Sequence, residues 1–203
     1  MILNVPFIKQ ANPTDCGPTC LKMVLDFFDK ENNIPREELS KMIEVQSTGA
    51  TISVGIAKAA AELGYDVEFY TIEDESNDEN FDLDFYKEYS DGLDKFNYLS
   101  KKLKKEFIEC GGRFYNKELS LNEVLNKMSD NYIPIVLFNW YDIKGKDGFL
   151  GHFVPVIGYD EDNIIFHQAG LVDTEEAMKV DRKTFDKARK YNGTDQDIIF
   201  IKR

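Results

Sequence analysis

The sequence predicts an α+β domain in which a group of helices comes first and an antiparallel sheet follows. Three observations carry that expectation. Apolar residues recur at helical spacing through the first third of the chain, and short apolar runs bounded by turn residues fill the last third. A length of 203 residues with 42% hydrophobic side chains is enough for one well-packed core or a core carrying a large insertion.

Taken in order, Ile2 to Ile8 is apolar enough for a strand or an extended lead-in, and Asn12-Pro13-Thr14-Asp15 supplies turn and capping chemistry before a helix that begins at Cys16. Cys20, Leu21, Met23, Val24, Phe27 and Phe28 continue its buried face. Pro35 starts a second helix at a plausible first position, Ile52 to Leu63 is a third that stops at Gly64, and Asp66 to Ile72 alternates as a strand. Leu99 to Cys110 is helical, with Gly111-Gly112 as its stop. Ser120 and Glu123 form a capping-box pattern at the head of a short helix over Leu119 to Met128. Ile133 to Trp140, His152 to Tyr159, Ile164 to Gln168 and Asp197 to Lys202 then make the sheet, with a helix over Arg182 to Lys190 before the last strand.

Charge divides the chain. Residues 73–94 hold ten acids against the single base Lys87, a net of −9 out of the chain's formal −12. The stretch from about Glu73 to Tyr115 is therefore expected to be an acidic, helical cap insertion within a single domain spanning 1–203. Within it, Asp74 to Asp82 offers oxygen ligands at alternating positions but lacks the glycine and the final glutamate of an EF-hand loop, so a solvated acidic loop is the expectation. Such an acidic chain repels a phosphate backbone and an anionic bilayer, which argues against nucleic acid and membrane as partners. No run reaches the ~18 apolar residues of a membrane span. The opening MILNVPFIKQ lacks the pattern of an export signal, and three cysteines make no disulfide framework; a cytoplasmic protein with free thiols is expected.

A thiol at a helix N-terminus is where the helix dipole and unpaired N–H groups favour the thiolate, so Cys16 is expected to titrate toward neutrality. A nucleophile of that kind needs a base, and the only histidines are His152, which opens an apolar strand after Gly151, and His167, near the end of the next. Cys16 and Cys20 lie four apart, yet no second nearby pair of Cys or His completes a tetrahedral set, so neither a metal nor another cofactor is expected.

Gln10-Ala-Asn-Pro-Thr-Asp-Cys-Gly-Pro-Thr-Cys-Leu-Lys-Met23 resembles the N-terminal motif of C39-type cysteine peptidases, and Gly151-His-Phe-Val-Pro-Val-Ile-Gly-Tyr-Asp160 resembles their histidine motif. The match is clear over about 10–26 and 132–169 and absent from about 73–115. The resemblance, to the stand-alone branch of that family, implies a papain-like fold with Cys16 as nucleophile, His152 as general base and acid, and Gln10 as oxyanion donor. The residue types suit those roles: an amide N–H from Gln10 and the Cys16 backbone N–H stabilise a developing oxyanion, while an imidazolium at His152 holds the thiolate and protonates the leaving group. Gly17 is read as giving access beside the sulfur, and Asp15 as capping the helix or anchoring the preceding loop.

The departure lies at the third member. Ile164-Ile-Phe-His-Gln-Ala-Gly170 places Gln168 where the family's Asp is usual, with Asp173 just beyond as a substitute if its loop folds back. An amide oxygen accepts a hydrogen bond from the imidazole, expected at Nδ1–H, but stabilises an imidazolium less than a carboxylate does. The expected activity is thiol hydrolysis of peptide bonds, on substrates made basic in preference by the acidic segment. The alternatives are an inactive peptide-binding module or an acyl transferase on the same fold. Gly111-Gly112 also resembles the end of a leader that such an enzyme cuts, though Leu103, Phe107 and Ile108 equally suit a packed helix.

Overall fold

Strand β3 (Ile133–Asn139) shows how the domain is built. Ile133, Ile135 and Leu137 belong to one apolar core, and Val136 and Phe138 to another on the opposite face. Strand β7 (Ile198–Lys202) divides in the same way, with Ile199 and Ile201 on one side and Ile198 and Phe200 on the other. A period of two with apolar residues at every position is what a strand buried on both faces requires. The sequence pattern is thus explained by a sheet covered on both sides.

The computed structural model describes residues 1–31, 33–72 and 92–203. Helices α1 (Cys16–Phe28), α2 (Arg36–Ile43), α3 (Ser53–Glu62) and α4 (Leu93–Glu109) contribute to the first core. Helices α5 (Leu121–Ser129) and α7 (Arg182–Arg189), with the short turn α6 (Trp140–Ile143), contribute to the second. The remaining strands are β1 (Asp66–Thr71), β2 (Arg113–Asn116), β4 (Gly151–Tyr159), β5 (Asn163–Gln168) and β6 (Glu175–Asp181). The sheet runs β2-β1-β7-β3-β4-β5-β6 and is antiparallel except for the β1–β2 pair, which is parallel. The expected helix-then-sheet order holds, and the Ser120–Glu123 capping box forms as read.

Two differences have physical reasons. The described part of the insertion is built into the frame: Leu103 and Phe107 of α4 are fully buried in the first core, Lys102 pairs with Glu44 at 2.7 Å, and β2 extends the sheet beyond β1. The acidic stretch 73–91, with the Asp74 to Asp82 oxygen ligands, lies outside the described residues. Strand β6, Glu-Glu-Ala-Met-Lys-Val-Asp, is unannounced by its sequence because as an edge strand it pairs on one side only and carries mostly exposed polar residues. The N-terminal segment is mainly an extended lead-in, joined to β4 by the Ile2–Gly158 bridge and by Leu3 N–H donating to Ile157 O at 2.7 Å.

Candidate active site

Helix α1 sets its first residue, Cys16, against the start of β4. Cys20, one turn on, donates its thiol proton to Phe153 O at 3.2 Å, while Phe153 also supplies a backbone hydrogen bond to the Cys16 sulfur. Both thiols therefore grip the residue that follows His152, and the nucleophile and base of the sequence reading are brought to neighbouring positions. Gly17 makes this packing possible: a Cβ there would come within 2.8 Å of Thr51 Cγ2 and 3.2 Å of Ile56 Cδ1. Its role is close helix packing, so the expected open access beside the sulfur is corrected.

His152 and Gln168 are joined directly, Nε2 to Oε1 at 2.7 Å. The same Oε1 accepts the Gly170 N–H at 3.0 Å, so the amide oxygen is fixed from two sides in a buried site. The bond uses Nε2 rather than the expected Nδ1. Asp173 does not substitute for Gln168: it pairs with Lys144 at 3.0 Å. Phe138 and Trp140 flank the imidazole, each with its ring centroid 6.0 Å away.

Gln10 reaches the site from the N-terminal segment. Its backbone N–H donates to Ala169 O at 2.9 Å, its Nε2 donates to Asn12 O at 3.2 Å, and its buried Oε1 has no hydrogen-bond partner. A Cβ on Gly170 would sit 3.3 Å from Gln168 Oε1 and 3.5 Å from Gln10 Oε1, so the two amides converge on this glycine. Asp15 makes no side-chain cap; it accepts Ala11 N–H at 3.2 Å and pairs with Arg36 at 3.0 Å. Arg36 also donates to Lys9 O at 3.0 Å and so holds the loop on both sides of Gln10. The sequence reading missed Arg36, whose only signal is a place at the start of α2.

Electrostatics correct one further expectation. Burial pushes the Cys16 thiol above its ordinary value, and it outweighs the backbone hydrogen bonds from Phe153, Gly17 and Cys16 itself that act the other way. Burial likewise pulls His152 down to about 4, against the raising effect of the Gln168 bond. The resting pair is a neutral thiol and a neutral imidazole, not the thiolate–imidazolium pair that the helix end alone suggests. Among the described residues, no three His, Cys, Asp or Glu side chains are grouped so as to hold a metal ion. No helix among them is long and apolar enough to cross a membrane.

The thiol at the head of α1, packed on the strand that carries His152, sits on a fold shared by solved structures of C39, papain-like peptidase domains. A putative C39-like peptidase from Bacillus anthracis is 14% identical with a TM-score of 0.58, and the match covers 100% of this chain and 96% of that one. A double glycine motif protease from an AMS/PCAT transporter, solved with its leader peptide, is 18% identical with a TM-score of 0.54 and covers 100% and 94%. The peptidase domain of Streptococcus ComA is 16% identical with a TM-score of 0.53 and covers 98% of each chain. At these identities the likeness is one of fold. The chain belongs to the guanylylate cyclase family, whose model matches residues 5–201. Guanylyl cyclase 1 of Arabidopsis thaliana is 26% identical over 217 residues, which covers 98% of this chain and 76% of that protein.

Proposed function

We propose that the protein is a thiol hydrolase of peptide (amide) bonds, with Cys16 as nucleophile, His152 as general base and acid, Gln168 as the residue that orients the imidazole, and Gln10 as an oxyanion donor. The observation that carries this reading is the His152 Nε2–Gln168 Oε1 bond, which fixes the imidazole beside the residue gripped by both α1 thiols. Because the pair rests neutral, the thiol is activated as it attacks. Nδ1 takes the sulfur's proton while the S–C bond forms, and the carbonyl oxygen becomes an oxyanion held by the Cys16 N–H and the Gln10 amide. The imidazolium then gives its proton to the departing amine as the C–N bond breaks. Water deprotonated by the same imidazole hydrolyses the thioester.

A peptide substrate is supported by the fold neighbour solved with its leader peptide. The acidic stretch 73–94 favours a basic peptide, so hydrolysis of such a peptide slows as salt shortens the screening length from about 30 Å at 0.01 M to about 8 Å at 0.15 M. The test of the main reading is alkylation by a peptide-like electrophile with the label located by mass spectrometry, alongside hydrolysis of peptide libraries. Labelling concentrated on Cys16 and weakened by His152→Ala supports it; equal labelling of Cys16, Cys20 and Cys110 overturns it. Protein that binds peptide but leaves Cys16 unlabelled is the inactive peptide-binding module, and products joined to added amines mark an acyl transferase.

Family membership favours a second reading, cyclisation of GTP. That reaction joins the 3′ hydroxyl to the α-phosphate and expels pyrophosphate, with no covalent step that calls for sulfur. Formation of cyclic GMP from GTP and Mg²⁺ or Mn²⁺, unchanged in Cys16→Ala, establishes the cyclase reading in place of the thiol one.

A further inference from the structure

Three consecutive residues at the end of β5 each hold a different part of the candidate site. Gln168 orients His152, and Ala169 O accepts the backbone N–H of Gln10. The residue before them, His167, is buried and takes no part in the chemistry described above. Its ring nevertheless bridges two segments. Ala177 N–H donates to Nδ1 at 3.1 Å, and Nε2 lies 2.9 Å from Val5 O.

These partners determine the tautomer. A backbone N–H is only a donor and a carbonyl only an acceptor, so Nδ1 is unprotonated and Nε2 carries the hydrogen. The arrangement has a local cause: the β5–β6 register shifts between Phe166 and Gln168, and Ala177 stands opposite with φ 54°. The imidazole accepts the β6 donor at that irregularity and passes a donor of its own to the N-terminal segment. Phe7 packs on the ring edge-on, with centroids 5.2 Å apart. The segment from Val5 to Gln10 is thus pinned at one end by His167 and at the other by Ala169.

We propose that His167 is a positioning residue: through its Nε2–H bond to Val5 O it holds the N-terminal segment on β5 and so places Gln10 beside the Cys16–His152 pair. The part played by Gln10 rests on the thiol-hydrolase reading; the docking of the segment does not.

Two substitutions separate the two bonds of the ring. His167→Gln puts an amide N–H where Nε2 stands and keeps the bond to Val5 O, whereas His167→Asn puts an acceptor where Nδ1 stands and keeps only the bond to Ala177. Hydrolysis of an amide substrate and hydrogen exchange of residues 1–10 are measured on both. The expected result is a loss in kcat of at least about tenfold for His167→Asn with KM little changed, near-native kcat for His167→Gln, and faster exchange at Gln10 in the Asn variant alone. Adding His167→Asn to Gln10→Ala then brings no further loss, because the histidine acts through that residue. Equal losses in the two variants, or losses that multiply with Gln10→Ala, overturn the proposal. Exchange that is unchanged in His167→Asn overturns it whatever the activity. A native protein without Cys16 reactivity, whose exchange still follows the Nε2 donor, instead removes the catalytic reading and leaves the docking role of His167 standing.

Discussion

Replacing Gln168 by Glu tests the electrostatics of the site with a nearly isosteric change. In the native chain Gln168 Oε1 lies 2.7 Å from His152 Nε2, and the imidazole titrates at about 4 because burial penalises its charged form. A carboxylate in the same place puts a full negative charge about 4 Å from the centre of the ring, worth about 4 kcal/mol at an effective dielectric of 20. At ~1.4 kcal/mol per pH unit that raises the imidazole by about 3 units. The Gly170 N–H, already donating to this oxygen at 3.0 Å, supports the carboxylate as well. Gln168→Glu thus converts a pair that is neutral at pH 7 into one with a substantial imidazolium population. The assay is NMR titration of the two histidines, with His167→Gln used for assignment, beside the pH profile of Cys16 alkylation. The variant is expected to titrate about 3 units above the native His152 and to react relatively faster at pH 6 than at pH 8. A native His152 that titrates near its ordinary 6.5, or a variant that shifts by less than one unit, refutes the reasoning.

Three further outcomes are expected. His152 is held at about 4 when folded and returns to about 6.5 when unfolded, so the unfolded chain takes up the proton first; stability is full above pH 6.5 and falls as pH drops toward 4. The loss has a ceiling of about 3 kcal/mol for this group, read as a drop in the urea midpoint between pH 7 and pH 4 that shrinks in His152→Gln. Gly170→Ala, whose Cβ would stand 3.2 Å from Gln168 Nε2, is expected to slow Cys16 reactivity by about 10- to 100-fold with little change in melting temperature; native reactivity in this variant contradicts the convergence of the two amides there. Gly112→Ala places a Cβ 2.0 Å from the Phe107 ring and is expected to cost about 1–3 kcal/mol in denaturant unfolding. A native chain that cuts itself after Gly112 would show instead that the pair is a leader site.

Much of the frame was legible because its signals are local. The helical spacing from Cys16, the Ser120–Glu123 box and the apolar runs of β3 and β7 each sit within one element and formed where the sequence placed them. What was not legible depends on partners distant in the chain. Strand β2 is four residues, Arg-Phe-Tyr-Asn, and becomes a strand through its parallel pairing with β1. Arg36 matters through Asp15 and Lys9, more than twenty residues away in sequence. The protonation of Cys16 was misjudged for the same reason: the helix end that favours a thiolate is visible in the sequence, while the burial that overrides it is a property of packing.

The substitution at the third site position fits that protonation. A carboxylate beside His152 draws a proton onto the imidazole and favours an ion pair with the thiol at rest, whereas an amide fixes the ring without doing so. Gln168 accordingly accompanies a raised thiol and a lowered imidazole. A neutral thiol is a poor nucleophile until a substrate carbonyl and the imidazole act on it together, so on the thiol-hydrolase reading this arrangement gives up resting reactivity toward stray electrophiles in favour of reaction with a bound substrate. Fold alone does not decide between that chemistry and the cyclisation suggested by the family, since one scaffold carries many reactions. The two differ in their demand on one atom: hydrolysis through a thioester stops without the Cys16 sulfur, and in-line attack within GTP does not require it.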